Sequence, residues 1–468
     1  MADKLNEIGD GRIVKMEVDY SEQTEKLIPE AEAKAKAGNL SAALESLFSL
    51  EKETRLNGDM RSNGKIQVAI VRLCFEAKDW TSLNENIITL TKKRQLIRQA
   101  VSKMVQEACE YVDKMPDEET RMKLIDTLRT VTAGKIYVEV ERARLTLKLT
   151  RQKEKEGKLE EAATILFDLQ VETFGSMDRK EKVEFLLEQM RLCLARKDFI
   201  RAQIISKKIS VKFFDDQASE VQQMKLVYYK MMIELDQEED KYLDVCRHFR
   251  ALYDTPIVQN DPLKRDEALK NVVLYCLLAP HSNEQADLMA RVGKERNLEQ
   301  IPLYKELLEL FCRAELISWK EQIVQEYEKA LRSGAGAGSP PTDVFTPATA
   351  RGEKQWTDFQ TRVGEHNIRM MAKYYTDVRL ERMAELLDWS VEKTEEFLCR
   401  LVVDGVIVGA KINRPSGVVS FQPKSSAVEV LDEWASNLGK LMDILNKTSH
   451  LILKEEMVHK HLRKNPPA

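Results

Sequence analysis

No stretch of the 468 residues approaches the roughly 18 consecutive apolar residues of a membrane span. The opening Met1-Ala2-Asp3-Lys4-Leu5-Asn6-Glu7 has no apolar core of signal-peptide length. Cysteine is sparse and odd in number: Cys74, Cys109, Cys193, Cys246, Cys276, Cys312 and Cys399 are scattered among mostly apolar neighbours, with no Cys-x-x-Cys pair. That excludes a disulfide framework and predicts small buried hydrophobes in a reducing, aqueous compartment, the cytoplasm, the nucleus or both. Excess charge of either sign is also missing, since 73 Lys and Arg stand against 77 Asp and Glu. No global field would draw the chain to nucleic acid or to an anionic membrane.

Catalytic patterns are missing as well. Gly64-Lys65 and Gly157-Lys158 run into Ile and Leu, so neither ends a phosphate-cradling loop. The Gly-rich run at Gly334 leads into Pro340-Pro341, which lack the backbone donors a phosphate needs. His-Glu-x-x-His and Gly-x-Ser-x-Gly do not occur. His459-Lys460-His461 is the one His-x-His, near the C-terminus and short of a third zinc ligand, while His248, His281, His366 and His450 are isolated. Cys246 and His248 are two residues apart on a helical segment and do not face each other. These absences predict no catalytic residue, no metal ligand and no cofactor.

What is present is a soluble, charge-laced helical composition, 43% apolar and 32% charged. A short pattern recurs: a small or charged residue, Gly or Asp, a large apolar residue, and another apolar residue three positions on. It appears at Gly38-Asn39-Leu40 with Ala43, Asp79-Trp80 with Leu83, Gly157-Lys158-Leu159 with Ala162, Asp198-Phe199 with Ala202, and Asp240-Lys241-Tyr242 with Val245. The spacing is about 40 residues, the length of a two-helix repeat, and a weaker unit around Met122 and Ile125 fills the one doubled interval. Segments between these turns carry apolar stripes at helical spacing, such as Ile66, Ile70, Leu73, Cys74 and Ala77, or Val183, Leu186, Leu187, Met190, Cys193 and Leu194. Each pair exposes apolar surface that only a stacked neighbour can cover, which predicts a solenoid; an ordinary helical bundle is the alternative.

At Ser333-Gly334-Ala335-Gly336-Ala337-Gly338-Ser339-Pro340-Pro341 the composition turns helix-breaking, a flexible loop or linker. A helix resumes from Trp356 to Tyr375. The spacing then predicts a helix from Arg379 to Leu387, a turn at Asp388-Trp389-Ser390, a second helix from Val391 to Val403 capped by Ser390, and two strands, Val406 to Ile412 and Val418 to Gln422. Two helices and a hairpin in that order make a winged helix. Its second helix carries Glu392, Glu395, Glu396 and Asp404 against Lys393 and Arg400, the wrong sign for a DNA groove, so no nucleic acid is expected. Val418-Val419-Ser420-Phe421 reads as an edge strand able to pair with a neighbouring sheet, or as part of the domain's own core. A last helix, about Ala427 to His461, keeps Leu431, Trp434, Leu438, Leu441, Leu445 and Ile452 on a seam near the heptad period, which wants partner helices.

Helical repeats running into a winged helix resemble the PCI family, named for the proteasome lid, the signalosome and translation initiation factor three. Longer words place the resemblance in its proteasome-lid branch: Asp10 to Tyr20, Gln170 to Met177, Glu188 to Ala195, Gln203 to Ile209, Asn367 to Thr376 and Lys454 to His459. The resemblance implies a mainly α chain, a right-handed solenoid of two-helix repeats followed by a winged-helix module and a long C-terminal helix. It implies a non-catalytic scaffold of the regulatory particle lid, serving ATP- and ubiquitin-dependent protein degradation. Val418, Val419 and Phe421 would then sit in a lateral winged-helix contact, and Leu431, Trp434, Leu438, Leu441, Leu445 and Ile452 in a helical bundle with other lid subunits. The repeat rod would reach the base and core particle. The parts expected are an N-terminal extension (1–30), the repeats (31–332), the linker (333–354), helix plus winged helix (355–425) and the bundle helix (426–468).

Overall fold

The structure is a computed structural model that describes residues 18–216, 218–333, 342–407, 409–421 and 427–460. It divides into two compact units, Met1–Glu239 and Asp240–Ala468.

In the first unit helices come in pairs: Ser21–Lys36 with Leu40–Leu56, Met60–Glu76 with Trp80–Lys92, Arg98–Val112 with Glu118–Thr132, Glu139–Lys155 with Leu159–Phe167, and Arg179–Ala195 with Phe199–Lys208, before Ser219–Glu238. The first helix starts inside the stretch expected to be an extension, and residues 1–17 lie outside the described part.

The recurring turn has one geometry. Gly38, Lys78, Gly157 and Lys197 all have positive φ, at 92°, 59°, 80° and 60°. After each, the next residue's N–H reaches back five positions: Asn39 to Lys34, Asp79 to Cys74, Lys158 to Lys153 and Asp198 to Cys193, at 2.9–3.2 Å. This is the Schellman end, which needs a left-handed residue. Gly supplies it freely at two turns. At the other two Lys takes the strained conformation, and the Asp that follows caps the next helix, Asp79 accepting from Ser82 N–H at 3.2 Å and Asp198 from Arg201 N–H at 3.3 Å. The weaker unit predicted near Met122 is the helix Glu118–Thr132.

Both predicted stripes are buried, apart from the exposed Ala77 at the end of the first. Helix Arg179–Ala195 is buried on its other side too, where Phe185 and Leu192 join a second cluster with Ala143, Ala163, Leu166 and Val171. A helix covered on two faces is an inner layer of a stacked array. Cross-links between polar side chains repeat the period: Lys65–Glu25, Lys93–Glu51, Lys148–Asp113, Arg144–Glu181, Arg191–Glu154 and Lys208–Glu172 join residues 35 to 42 apart. Cysteine only partly follows expectation. Cys74, Cys193, Cys246 and Cys276 are buried, Cys109 and Cys399 are half-buried, and Cys312 is exposed.

The second unit continues with Tyr242–Tyr253, Pro256–Gln259, Pro262–Leu278, Asn283–Gly293, Pro302–Cys312, a π-helical stretch Trp319–Tyr327 running into Glu328–Ser333, and Ala350–Tyr374. Of the predicted linker, 334–341 lie outside the described residues. The remainder is not a spacer: Val344 and Phe345 are buried, and the long helix starts at Ala350. Thr349 caps it by accepting from the Gly352 N–H at 3.1 Å. Gly352 is required because a Cβ there would lie 2.2 Å from the Thr346 carbonyl oxygen.

The winged helix comprises β1 (Asp377–Arg379), helices Leu380–Leu387 and Val391–Val403, β2 (Lys411–Asn413) and β3 (Val418–Ser420). The sheet order β1-β3-β2 corrects the edge-strand reading of Val418 to Phe421. Val418 is opposite Arg379 on one side and Asn413 on the other, and Val419 is opposite Val378 and Ile412. Asp377-Val378-Arg379 is too short to show an alternating pattern, so the strand that occupies this edge is invisible in the sequence. Val419 and Phe421 are buried in the domain's own core with Ile368, Met371, Leu398 and Leu401.

Candidate assembly surface

The helix Ala427–Val458 has 32 residues and no buried side chain. Leu431, Trp434, Leu438, Leu441, Leu445 and Ile452 remain 59%, 64%, 42%, 53%, 52% and 62% exposed. Val428, Val430, Met442, Ile444, Leu451, Leu453, Met457 and Val458 are exposed with them. At 100° per residue these side chains sweep an arc of roughly 260°, far wider than the two-sevenths seam of a simple coiled coil. The remaining strip is polar: Glu429, Asp432, Ser436, Asp443, Lys447, His450 and Lys454 recur at spacings that keep one face. So wide an apolar arc exposes more surface than one neighbouring helix could cover, and the polar strip marks one edge suited to water. The heptad reading finds the seam from Leu431 to Ile452 but misses its flanks, because Val430, Ile444, Leu451 and Val458 follow a second stripe, fourteen and then seven residues apart and interrupted by Asn437.

Beside this helix, the winged helix offers a different surface. Val418 is half-buried, and Val419 and Phe421 face inward, so the three are not brought together with the helix seam. Three cations of this module, one in the wing and two on the second helix, are engaged within it. Arg414 Nε donates to Glu395 at 2.7 Å, and Lys393 lies 5.0 Å from the centre of the Trp389 ring. Arg400 pairs with Glu396 at 3.5 Å. Glu395 raises the pKa of the Arg414 guanidinium, and among the described residues no row of free cations lines the helix Val391–Val403 to meet phosphates.

The buried polar groups are those of a packed interior. His366 is 1% exposed, its Nε2 donates to the Glu315 carbonyl at 3.0 Å, and burial pushes its pKa down to about 4. Asn367 clamps the same chain segment, accepting from the Ile317 N–H and donating to its carbonyl, both at 2.8 Å. His459 is paired with Glu455 of its own helix at 3.2 Å, and His461 lies outside the described residues.

Known families match the chain in three stretches. Residues 42–261 match the family described as PSMD12/CSN4, N-terminal, residues 341–423 the PCI domain, and residues 429–460 the 26S proteasome regulatory subunit RPN5 C-terminal domain. The 26S proteasome regulatory subunit rpn501 of Schizosaccharomyces pombe is 43% identical over 450 residues, 95% of this chain and 98% of the relative. The 26S proteasome non-ATPase regulatory subunit 12 homolog A of Arabidopsis thaliana is 40% identical over 91% of this chain and 98% of its own length. COP9 signalosome complex subunit 4 of Drosophila melanogaster is more distant, 24% identical over 82% of this chain and 84% of its own. With helical repeats, a winged helix and a long unpartnered helix in this order, and with such identity over nearly its whole length, the chain belongs to the PCI-domain family of 26S proteasome non-ATPase regulatory subunit 12.

Proposed function

We propose that this chain is a non-catalytic scaffold subunit of the proteasome regulatory-particle lid, anchored there by its C-terminal helix. The observation that carries the reading is the helix Ala427–Val458, whose apolar arc is covered by none of the described residues. Burying the exposed half of six large side chains contributes roughly 1 kcal/mol each. Association alone costs about 4–15 kcal/mol. One partner helix is therefore marginal, and a bundle that covers the flanking stripe as well is stable. The seam residues Leu431, Trp434, Leu438, Leu441, Leu445 and Ile452 take the central positions of that bundle.

The winged helix packs against other lid subunits beside the bundle. A strand added by a neighbour would pair with the outer strands Asp377–Arg379 or Lys411–Asn413, since β3 has both edges occupied. The repeats contact the base and core particle and brace neighbouring subunits. Cleavage of ubiquitin and ATP hydrolysis then belong to other subunits, and the chain works in the cytoplasm and nucleus. The parts of this scaffold are the repeats up to residue 332, the helix and winged helix up to 425, and the bundle helix beyond.

Replacing Leu438 and Leu441 with Asp tests this, because a charge buried in an apolar seam without a partner is costly. The expected result is loss of co-sedimentation with the lid while the helical content and unfolding transition of the repeats stay unchanged. Normal co-sedimentation of the double variant would overturn the bundle assignment.

A further inference from the structure

Away from the C-terminal helix, the first unit contains a crevice of about 170 Å³ where the helices Arg98–Val112, Glu118–Thr132 and Glu139–Lys155 meet. Its floor is apolar, with Val112 and Ile125 almost fully buried. Its rim is cationic: Arg121, Lys148, Arg151 and Lys155, with Asp113 the one carboxylate among the lining residues and Gln152 between them.

Asp113 is already taken, its Oδ2 accepting from Lys148 Nζ at 2.6 Å. Arg121 donates to the Gln152 side-chain oxygen at 3.3 Å and lies 3.7 Å from Glu118 at the crevice edge. The carboxylate nearest in sequence to Arg151 on its own helix, Glu154, turns away to Arg191 of the next repeat, which holds both its oxygens at 2.7 Å. Among the described residues, no carboxylate ion-pairs with Arg151 or Lys155.

Lys148, Arg151 and Lys155 stand three and seven positions apart, on one helical face. Like charges so placed destabilise a helix. The negative end of the helix dipole offsets this for Lys155 in the last turn, but its influence does not reach Lys148 two turns back. Elsewhere in this unit two such cations are paired with carboxylates one repeat away, Arg144 with Glu181 and Lys208 with Glu172. Arg151 and Lys155 have no such carboxylate among the described residues, and the hole beneath them has Val112 and Ile125 at its floor and is roomy enough for one aliphatic side chain; a water occupies about 30 Å³ in the liquid.

We infer that this crevice is a docking site for an acidic peptide segment of a partner protein, one aliphatic side chain entering between Val112 and Ile125 and flanking carboxylates pairing with Arg151, Lys155 and Arg121. Charge complementarity selects the occupant. The apolar floor asks for more than an anion, and a rim of cations rejects a basic or neutral segment.

The test uses the full chain and a fluorescein-labelled octapeptide of Asp and Glu with one central Leu, measured by anisotropy at low salt. Binding should weaken about tenfold or more, the equivalent of about 1.4 kcal/mol, in the exposed-site double variant Arg151→Glu with Lys155→Glu. It should weaken similarly when the peptide's Leu becomes Asn, and it should fall as salt is raised. The control Lys34→Glu with Lys36→Glu makes the same change in net charge at another helix end and should leave binding unchanged. Arg151→Gln with Lys155→Gln guards against misfolding of the reversed variant and should also weaken the peptide. No binding by the parent chain, equal loss in the control, or inorganic tripolyphosphate displacing the peptide as well as unlabelled peptide does would each overturn the assignment.

Discussion

Arg191 holds both carboxylate oxygens of Glu154, each at 2.7 Å, across one helical repeat, and simultaneously grips Glu188 of its own helix. The fork of the guanidinium matches the carboxylate in a way that Lys cannot. The two carboxylates raise the pKa of Arg191, and Arg191 in turn holds the Glu154 carboxyl below its ordinary value. Both side chains are partly exposed, so the pair contributes far less than its geometry suggests. A double-mutant cycle with Arg191→Met and Glu154→Gln, read by denaturant unfolding, is expected to give a coupling of about 1 kcal/mol that shrinks in high salt. Because the folded pKa of Glu154 is depressed, this contribution is present above its ordinary value and is lost as pH falls through the folded one. A coupling indistinguishable from zero would remove the repeat-to-repeat ladder from the account of stability.

Lys78 and Lys197 occupy the same left-handed turn position as Gly38 and Gly157. A side chain there costs on the order of 1 kcal/mol or more. Glycine relieves the strain and loses part of the gain to the freer unfolded chain. Lys78→Gly and Lys197→Gly should each raise stability by about 0.5 kcal/mol, whereas Gly157→Lys should lower it, as measured by urea midpoints at unchanged slope. Destabilisation by both Lys→Gly changes would contradict the turn geometry.

His366 gives the second unit a predictable response to acid. It is buried, its folded pKa is near 4, and the positive charge of Arg369 beside it adds to the desolvation that lowers it. Between that value and the ordinary imidazole value the unfolded chain binds the extra proton, so stability rises with pH through this window. Moving from pH 7 to pH 5 should cost about 2 kcal/mol from this residue. His366→Phe should flatten the unfolding profile of the second unit between those values. An unchanged profile would show that His366 does not govern it.

Trp389 closes over Gly364. A Cβ on that glycine would stand 2.3 Å from Cη2 of the indole, which also meets Phe397 edge-on with ring centres 5.0 Å apart. Gly364→Ala should therefore displace the indole and destabilise the winged helix by about 1–3 kcal/mol. The check is a fall in the unfolding midpoint with altered near-ultraviolet circular dichroism. Wild-type stability would mean the ring has room the structure does not show.

The repeat register is legible because one backbone conformation recurs at the turns: a left-handed residue ends the helix, seen as Gly, or as Lys followed by an Asp that caps the next helix. The winged helix is legible as two helices and a hairpin, since Ser390 and the turn at Asn413 to Gly417 are local signals too. What local chemistry cannot express stays hidden. The three residues of β1 carry no period, yet they convert an expected edge into the middle of a sheet. The burial of Phe185 and Leu192 depends on which neighbour lies behind the helix, and an amphipathic stripe records one side only. Val344 and Phe345 pack because distant aromatic rings await them, Phe345 meeting Trp356 and Phe359, while Pro347 and Gly352 nearby suggest a spacer. In the candidate assembly surface the seam is visible as a heptad, but its breadth emerges only when the whole helix proves uncovered.

The central claim is that this chain is held among lid subunits through Ala427–Val458. The most direct measurement is quantitative mass spectrometry of proteins co-isolated with the full chain and with a form ending at residue 426. The account predicts the other proteasome lid subunits in near-equal amounts with the full chain and their loss from the shortened one. Recovery of signalosome subunits alone, or an undiminished lid with the shortened form, would contradict it.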